Sequence, residues 1–179
     1  MTRIAAILAV GLLSLGCGSS SDDDGGGASG GGCDTSGTSP SALECQILAL
    51  VNQTRAAGTT CGGQSKPPAP PLKMNSILRG AARAHAVDMA ENDYFSHDGL
   101  DGRDPFDRMS DAGYGFSKAG ENIAAGSATA EGSMQQWLGS AGHCGNIMDP
   151  GFEDLGVGYA FNASHQYRHV WVQKFGRPK

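Results

Sequence analysis

The stretch Leu155-Gly156-Val157-Gly158-Tyr159-Ala160-Phe161 and the run Tyr167-Arg168-His169-Val170-Trp171-Val172-Gln173-Lys174-Phe175 close the chain. In the first, Leu155, Val157, Tyr159 and Phe161 alternate with glycine or alanine, the period-2 pattern of a strand. The polar stretch from Asn162 to Gln166 reads as a turn, so an antiparallel hairpin is expected here. Working backward, the period becomes helical. Leu43, Ile47, Leu50 and Val51 fall at i, i+4, i+7 and i+8, with Ser41 and Glu44 at capping-box spacing. A second helix is expected from Asn75 to Asn92, with Leu78, Ala82, His85 and Met89 on one face. Asp104-Pro105 is an N-cap and N1 pair that opens a short helix up to Gly113. A fourth helix is expected from Ala130 to Ser140. Helices first and a hairpin last predict an α+β fold in layers rather than βαβ winding.

The chain has 179 residues, a size for one domain. Its first 40 residues hold 10 of the 28 glycines and only four acids, and they read separately from the rest. Arg3 precedes the uncharged run Ile4 to Leu15, too short to span a bilayer but the length of a signal-peptide core, so residues 1–16 are expected to be removed. Leu13-Ser14-Leu15-Gly16-Cys17 resembles the lipobox of bacterial lipoproteins, which implies acylation of Cys17; Ser14 departs from the aliphatic residue commoner there. Residues 17–40 are then a lipidated Cys and a Gly/Ser/Asp tether, with an r.m.s. reach of roughly 25 Å. Gly25 to Gly30 matches GxGxxG, but no strand precedes it and no amphipathic helix follows, so it reads as spacer. The domain proper, 41–179, carries 12 basic and 14 acidic residues. Near-neutral and without a basic stripe, it has no footprint for nucleic acid.

Export into an oxidising compartment makes the cysteines informative. With Cys17 lipidated, four remain, and three pairings are possible. The pairing expected is Cys61 with Cys144, and Cys33 with Cys45 as a local clip at the tether's end. The absence of CxxC spacing speaks against a zinc-thiolate cluster.

HExxH, GxSxG and P-loop motifs are missing, so any chemistry must come from dispersed residues. Glu131 shares a helical stripe with Met134 and Leu138, and a carboxylate facing a core needs a cation, a metal or donors. The alternative for Glu131 is a frayed first turn facing water. His97 and His143 each follow a helix at a Gly-rich exit, and Glu121 stands in Gly120-Glu121-Asn122-Ile123-Ala124. Taken singly, such residues are usually solvated. His85, on the Leu78 stripe, reads as a core histidine; His165 and His169 read as surface. Eight acids lie between Asp88 and Asp111, but without the D-x-D-x-D-G spacing of a calcium loop.

The block from Asn75 to Gly176 resembles the CAP superfamily (cysteine-rich secretory, antigen 5 and pathogenesis-related proteins), in its bacterial SCP-domain branch. The matching pieces are Ala84-His85-Ala86, Tyr94-Phe95-Ser96-His97, Gly120-Glu121-Asn122-Ile123-Ala124, Trp137-Leu138 with Ser140 to His143, Asn146-Ile147-Met148, Gly156-Val157-Gly158 and Trp171 to Gly176. The resemblance implies a three-layer α-β-α sandwich with the terminal hairpin in its central sheet. It also implies a cavity with two His and two Glu, which fall on His97, Glu121, His143 and Glu131; Glu131 stands six positions before Trp137. The chain stops four residues after Phe175, without the cysteine-rich module of some eukaryotic relatives, so their channel activity does not transfer.

Two imidazoles with one or two carboxylates suit a borderline-soft divalent ion, with zinc the leading candidate. The leading expectation is an exported binding module, tethered to the cell envelope or outer membrane by Cys17 or otherwise secreted. Its groove would take a lipid, glycan or peptide beside the metal. The alternative is a metal-dependent hydrolase in which Glu121 takes a proton from metal-bound water.

Overall fold

The computed structural model describes Cys33 and residues 40–179. The signal peptide expected at 1–16, Cys17 and most of the tether lie outside the described residues. In chain order the elements are α1 Pro40–Ala57, β1 Thr59–Cys61, β2 Gln64–Lys66, β3 Lys73–Met74, α2 Ser76–Glu91, α3 Pro105–Asp111, β4 Phe116–Ala125, α4 Ala130–Gly139, α5 Ala141–Met148, β5 Asp154–Phe161 and β6 His169–Pro178. A four-stranded sheet runs β3-β5-β6-β4, and β1 and β2 form a separate small hairpin. The terminal hairpin is present, β5 against β6 in antiparallel register from Asp154↔Gly176 to Phe161↔His169. β4 pairs antiparallel with the other side of β6, and β3 pairs parallel with β5.

Strand alternation sends consecutive residues to opposite faces and so divides the core in two. Leu155 and Val157 of β5, with Trp171 and Phe175 of β6, face a layer made by α1, α4 and α5, including Leu43, Ile47, Trp137 and Ile147. Their neighbours Ala160, Val170 and Val172 face Ala82, Ala86 and Met89 of α2. Helices thus cover both faces of the sheet, the three-layer α-β-α arrangement. The glycines in the alternating run let α2 come close: a Cβ on Gly156 would lie 2.1 Å from the Leu78 carbonyl carbon, and one on Gly158 2.3 Å from that of Ala82.

Local signals are realised at α2 and α3. The Asn75 side chain accepts from the N–H groups of Ile77 and Leu78, and Asp104 with Asp107 forms a full capping box. Glu44 differs from its expected capping role. It is fully buried and takes Arg79 at 2.7 Å and Arg83 at 2.5 Å, tying α1 to α2. Tertiary cations won this carboxylate because, once buried, it needs charge compensation more than a helix terminus needs a cap. His165 is also a correction: it is buried, its Nε2 facing the Tyr94 carbonyl oxygen at 3.3 Å, whereas His169 is partly exposed.

Both expected disulfides are formed, Cys33–Cys45 and Cys61–Cys144, spanning 12 and 83 residues. The longer one links β1 to α5. Replacing Cys61 and Cys144 together by serine is expected to lower stability by about 3 kcal/mol, because the unfolded chain regains a long loop's freedom. Denaturant unfolding measures it; a loss under about 1 kcal/mol would mean that packing alone holds β1 to α5.

Candidate functional site

β4 is one edge strand of the four-stranded sheet, and its alternation decides which residues can meet. Glu121 and Ile123 point to the α2 side of the sheet, Asn122 and Ala124 to the α4/α5 side. Glu121 is therefore a strand residue, 7% exposed, rather than the solvated loop residue its sequence context suggests.

Four side chains converge on the Glu121 carboxylate or its surroundings. His97, in the loop after α2, places Nδ1 2.9 Å from Oε1. Lys174, opposite Glu121 on β6 and fully buried, donates from Nζ to Oε2 at 2.5 Å and to the Pro105 carbonyl oxygen at 3.4 Å. The guanidinium of Arg108 on α3 lies 3.4 to 3.5 Å from both carboxylate oxygens and also donates to the carbonyl oxygens of His97 and Arg103. Buried His85 hydrogen-bonds through Nε2 to the Ser96 carbonyl oxygen at 3.0 Å. Burial would raise the Glu121 carboxyl, but the His97 hydrogen bond and the Lys174 charge outweigh it and hold the group at about 2. Burial lowers His85 to about 4, so it is a neutral core histidine, as its stripe position predicts.

An ionised Glu121 fixes the tautomer of neutral His97. Nδ1 carries the proton, and Nε2 is left as an acceptor on a side chain 47% exposed. His143 sits in α5, not in the loop expected after the fourth helix, and is half-buried. Burial first, and then electrostatic coupling to His97, lower its pKa. Its backbone is fixed three ways. Ser140 caps its N–H, Asn122 donates to its carbonyl oxygen at 3.1 Å, and the next residue is the disulfide-bonded Cys144.

Glu131 is placed differently from the core-facing stripe. The buried positions of α4 are Ala130, Ser133, Met134 and Trp137, and Glu131, one residue round from Ala130, is exposed in the first turn. An acid there suits the helix dipole without any partner. Among the described residues no three His, Cys, Asp or Glu side chains are gathered as a metal would require. Glu121 in particular does not fit as a zinc ligand in this arrangement, since two cations and an imidazole already engage its oxygens. The residues missed by sequence reading are Lys174 and Arg108. Lys174 interrupts an apolar strand, a signal that could have marked it.

Beside this cluster, a cleft of about 460 Å³ opens between α2, α3 and the loop joining them, lined among others by Ala81, Ala84, His85, Asp88, Arg103 and Arg108. His85 and Arg108 belong to both the cluster and the cleft wall.

Residues 48–175 match the Cysteine-rich secretory protein family, CAP. YkwD of Bacillus subtilis strain 168, described as uncharacterized, is 36% identical over 138 residues, covering 77% of this chain and 48% of its own length. The crystal structure of an extracellular protein containing an SCP domain from Bacillus anthracis str. Ames is 33% identical, with a TM-score of 0.62, over 74% of this chain and 39% of that one. An outer surface protein from Borrelia burgdorferi shares the fold at a TM-score of 0.60 and 20% identity, over 76% of this chain and 90% of its own. The chain thus spans less than half the length of both Bacillus relatives.

Proposed function

This chain belongs to the cysteine-rich secretory protein (CAP) family, and on that premise we propose that it is an exported binding module, tethered through a lipidated Cys17, that receives a lipid, glycan or peptide at the His97–His143 edge and the adjoining cleft. Similarity to an extracellular SCP-domain protein supports export. The observation that carries binding over hydrolysis is the state of Glu121. A general base works best with a pKa near the working pH. A carboxylate held at about 2 by Lys174 and His97 is a weak acceptor for a proton from water. Its geometry suits a different task, orienting His97 from behind, as carboxylates orient metal-ligating histidines. In this reading zinc uptake falls to the two imidazoles, His97 Nε2 and His143, and is weak because two neutral donors make half of a usual site.

Native mass spectrometry of protein taken from membranes tests the binding reading, with a non-covalent ligand expected to travel with the domain. Screens of ester, peptide and glycan libraries are expected to show no turnover. Turnover that falls on Glu121→Gln would replace this reading with the hydrolase. Zinc titration tests the imidazole pair: uptake is expected to be lost in His97→Ala and in His143→Ala, and to weaken as pH falls, because a protonated imidazole cannot ligate. Equal uptake by wild type and both variants would remove these residues from the site.

A further inference from the structure

We propose that Lys174 is a built-in cation that keeps a divalent metal off Glu121, and that its removal would convert the His97–Glu121 pair into a metal site. The ammonium is fully buried and its Nζ stands 2.5 Å from Oε2, the carboxylate oxygen not bonded to His97. A metal using Glu121 would need that oxygen. Lys174 is directly opposite Glu121 in the β4–β6 register, so the sheet itself fixes the pairing. Its other partner, the Pro105 carbonyl oxygen, anchors it at the start of α3. Arg108 adds a second positive charge within 3.5 Å of both oxygens. One carboxylate against two cations leaves the cluster net positive before any ion arrives, and a divalent cation would enter against that charge in a poorly hydrated setting. Without the ammonium, Glu121 and Arg108 balance and Oε2 is released, so the carboxylate can take an ion beside His97.

The inference builds on the placement of His97 against Glu121 described above but has its own readout. Zinc affinity is measured by isothermal titration on the wild-type domain, on Lys174→Met, which is close in length and uncharged, and on Lys174→Gln, which keeps a donor should the methionine variant fold poorly. A gain of at least about tenfold, the scale on which ligand-shell changes move metal affinity, is expected in a folded Lys174 variant. Adding Glu121→Gln to that variant is expected to erase the gain. Zinc should also raise the unfolding temperature of the Lys174 variant more than that of wild type. Affinity within about twofold of wild type in a folded Lys174 variant overturns the inference, as does a gain that survives Glu121→Gln. A wild type that takes up no zinc would end the imidazole-pair reading and leave this one standing, because the readout here is the gain.

Discussion

Gly156→Val is expected to lower the unfolding temperature by about 10 °C or more, or to leave the protein insoluble. A Cβ at this position would stand 2.1 Å from the Leu78 carbonyl carbon and 2.4 Å from the Arg79 nitrogen. Ordinary overpacking costs about 1–3 kcal/mol because neighbouring side chains shift. Here the obstacle is the backbone of α2, which can yield only by moving as a helix and opening the layer that holds Ala82, Ala86 and Met89 against the sheet. At about 3 kcal/mol or more, a domain of this size loses that much thermal stability. Gly158→Val should behave alike, its Cβ falling 2.3 Å from the Ala82 carbonyl carbon. Gly139→Ala is the control. That residue lies in α4 with nothing within 4 Å of an added Cβ, so alanine should be neutral or stabilise by up to about 1 kcal/mol. Thermal unfolding of the three variants measures the contrast, and a Gly156→Val protein melting within a few degrees of wild type would show that α2 is not held by this approach.

Glu121→Ala is the second large effect, about 3–5 kcal/mol lost, because it strands Lys174 and Arg108 in a buried site without their carboxylate. Denaturant unfolding should find the double variant Glu121→Ala/Lys174→Met more stable than Glu121→Ala alone, since it no longer buries an unpaired ammonium. A single variant within about 1 kcal/mol of wild type would mean that water reaches the cluster and solvates it. The same pair fixes an acid limit. Glu121 is depressed from an ordinary 4.5 to about 2 in the folded chain. A depressed carboxyl contributes stability that is fully present above the unfolded value and lost as pH falls through the folded one. Wild type should therefore lose stability between about pH 4.5 and 2, by roughly 3 kcal/mol from this group. Glu121→Gln should flatten the curve in that window.

The periodicities were legible where one face of an element was apolar and the other polar. That covers α1, α2, the cap at Asp104, and the β5–β6 hairpin. β4 escaped because Phe116 to Ala125 mixes Ser117, Lys118, Glu121 and Asn122 with small residues, which reads as a loop until β6 supplies its partner. α5 escaped for a similar reason: Gly142 and Gly145 in an eight-residue helix weaken its propensity, and the Ser140 cap, the Cys61 bridge and the burial of Ile147 compensate. Glu131 illustrates the limit of stripe counting. A rotation of one residue, about 100°, separates a core position from an exposed one, and the choice belongs to whatever α4 packs against.

By itself the sequence determined the α+β class and the identity of the residues from Asn75 to Gly176 that carry the family resemblance, which in turn implied the three layers, because periodicity, capping and motif spacing are local properties of a chain. Only the tertiary structure decided that Glu121 is spoken for. Its partners Arg108 and Lys174 lie 13 and 53 residues away. Whether a carboxylate is a base, a ligand or half of an ion pair depends on the charges that folding brings within a few ångströms of it.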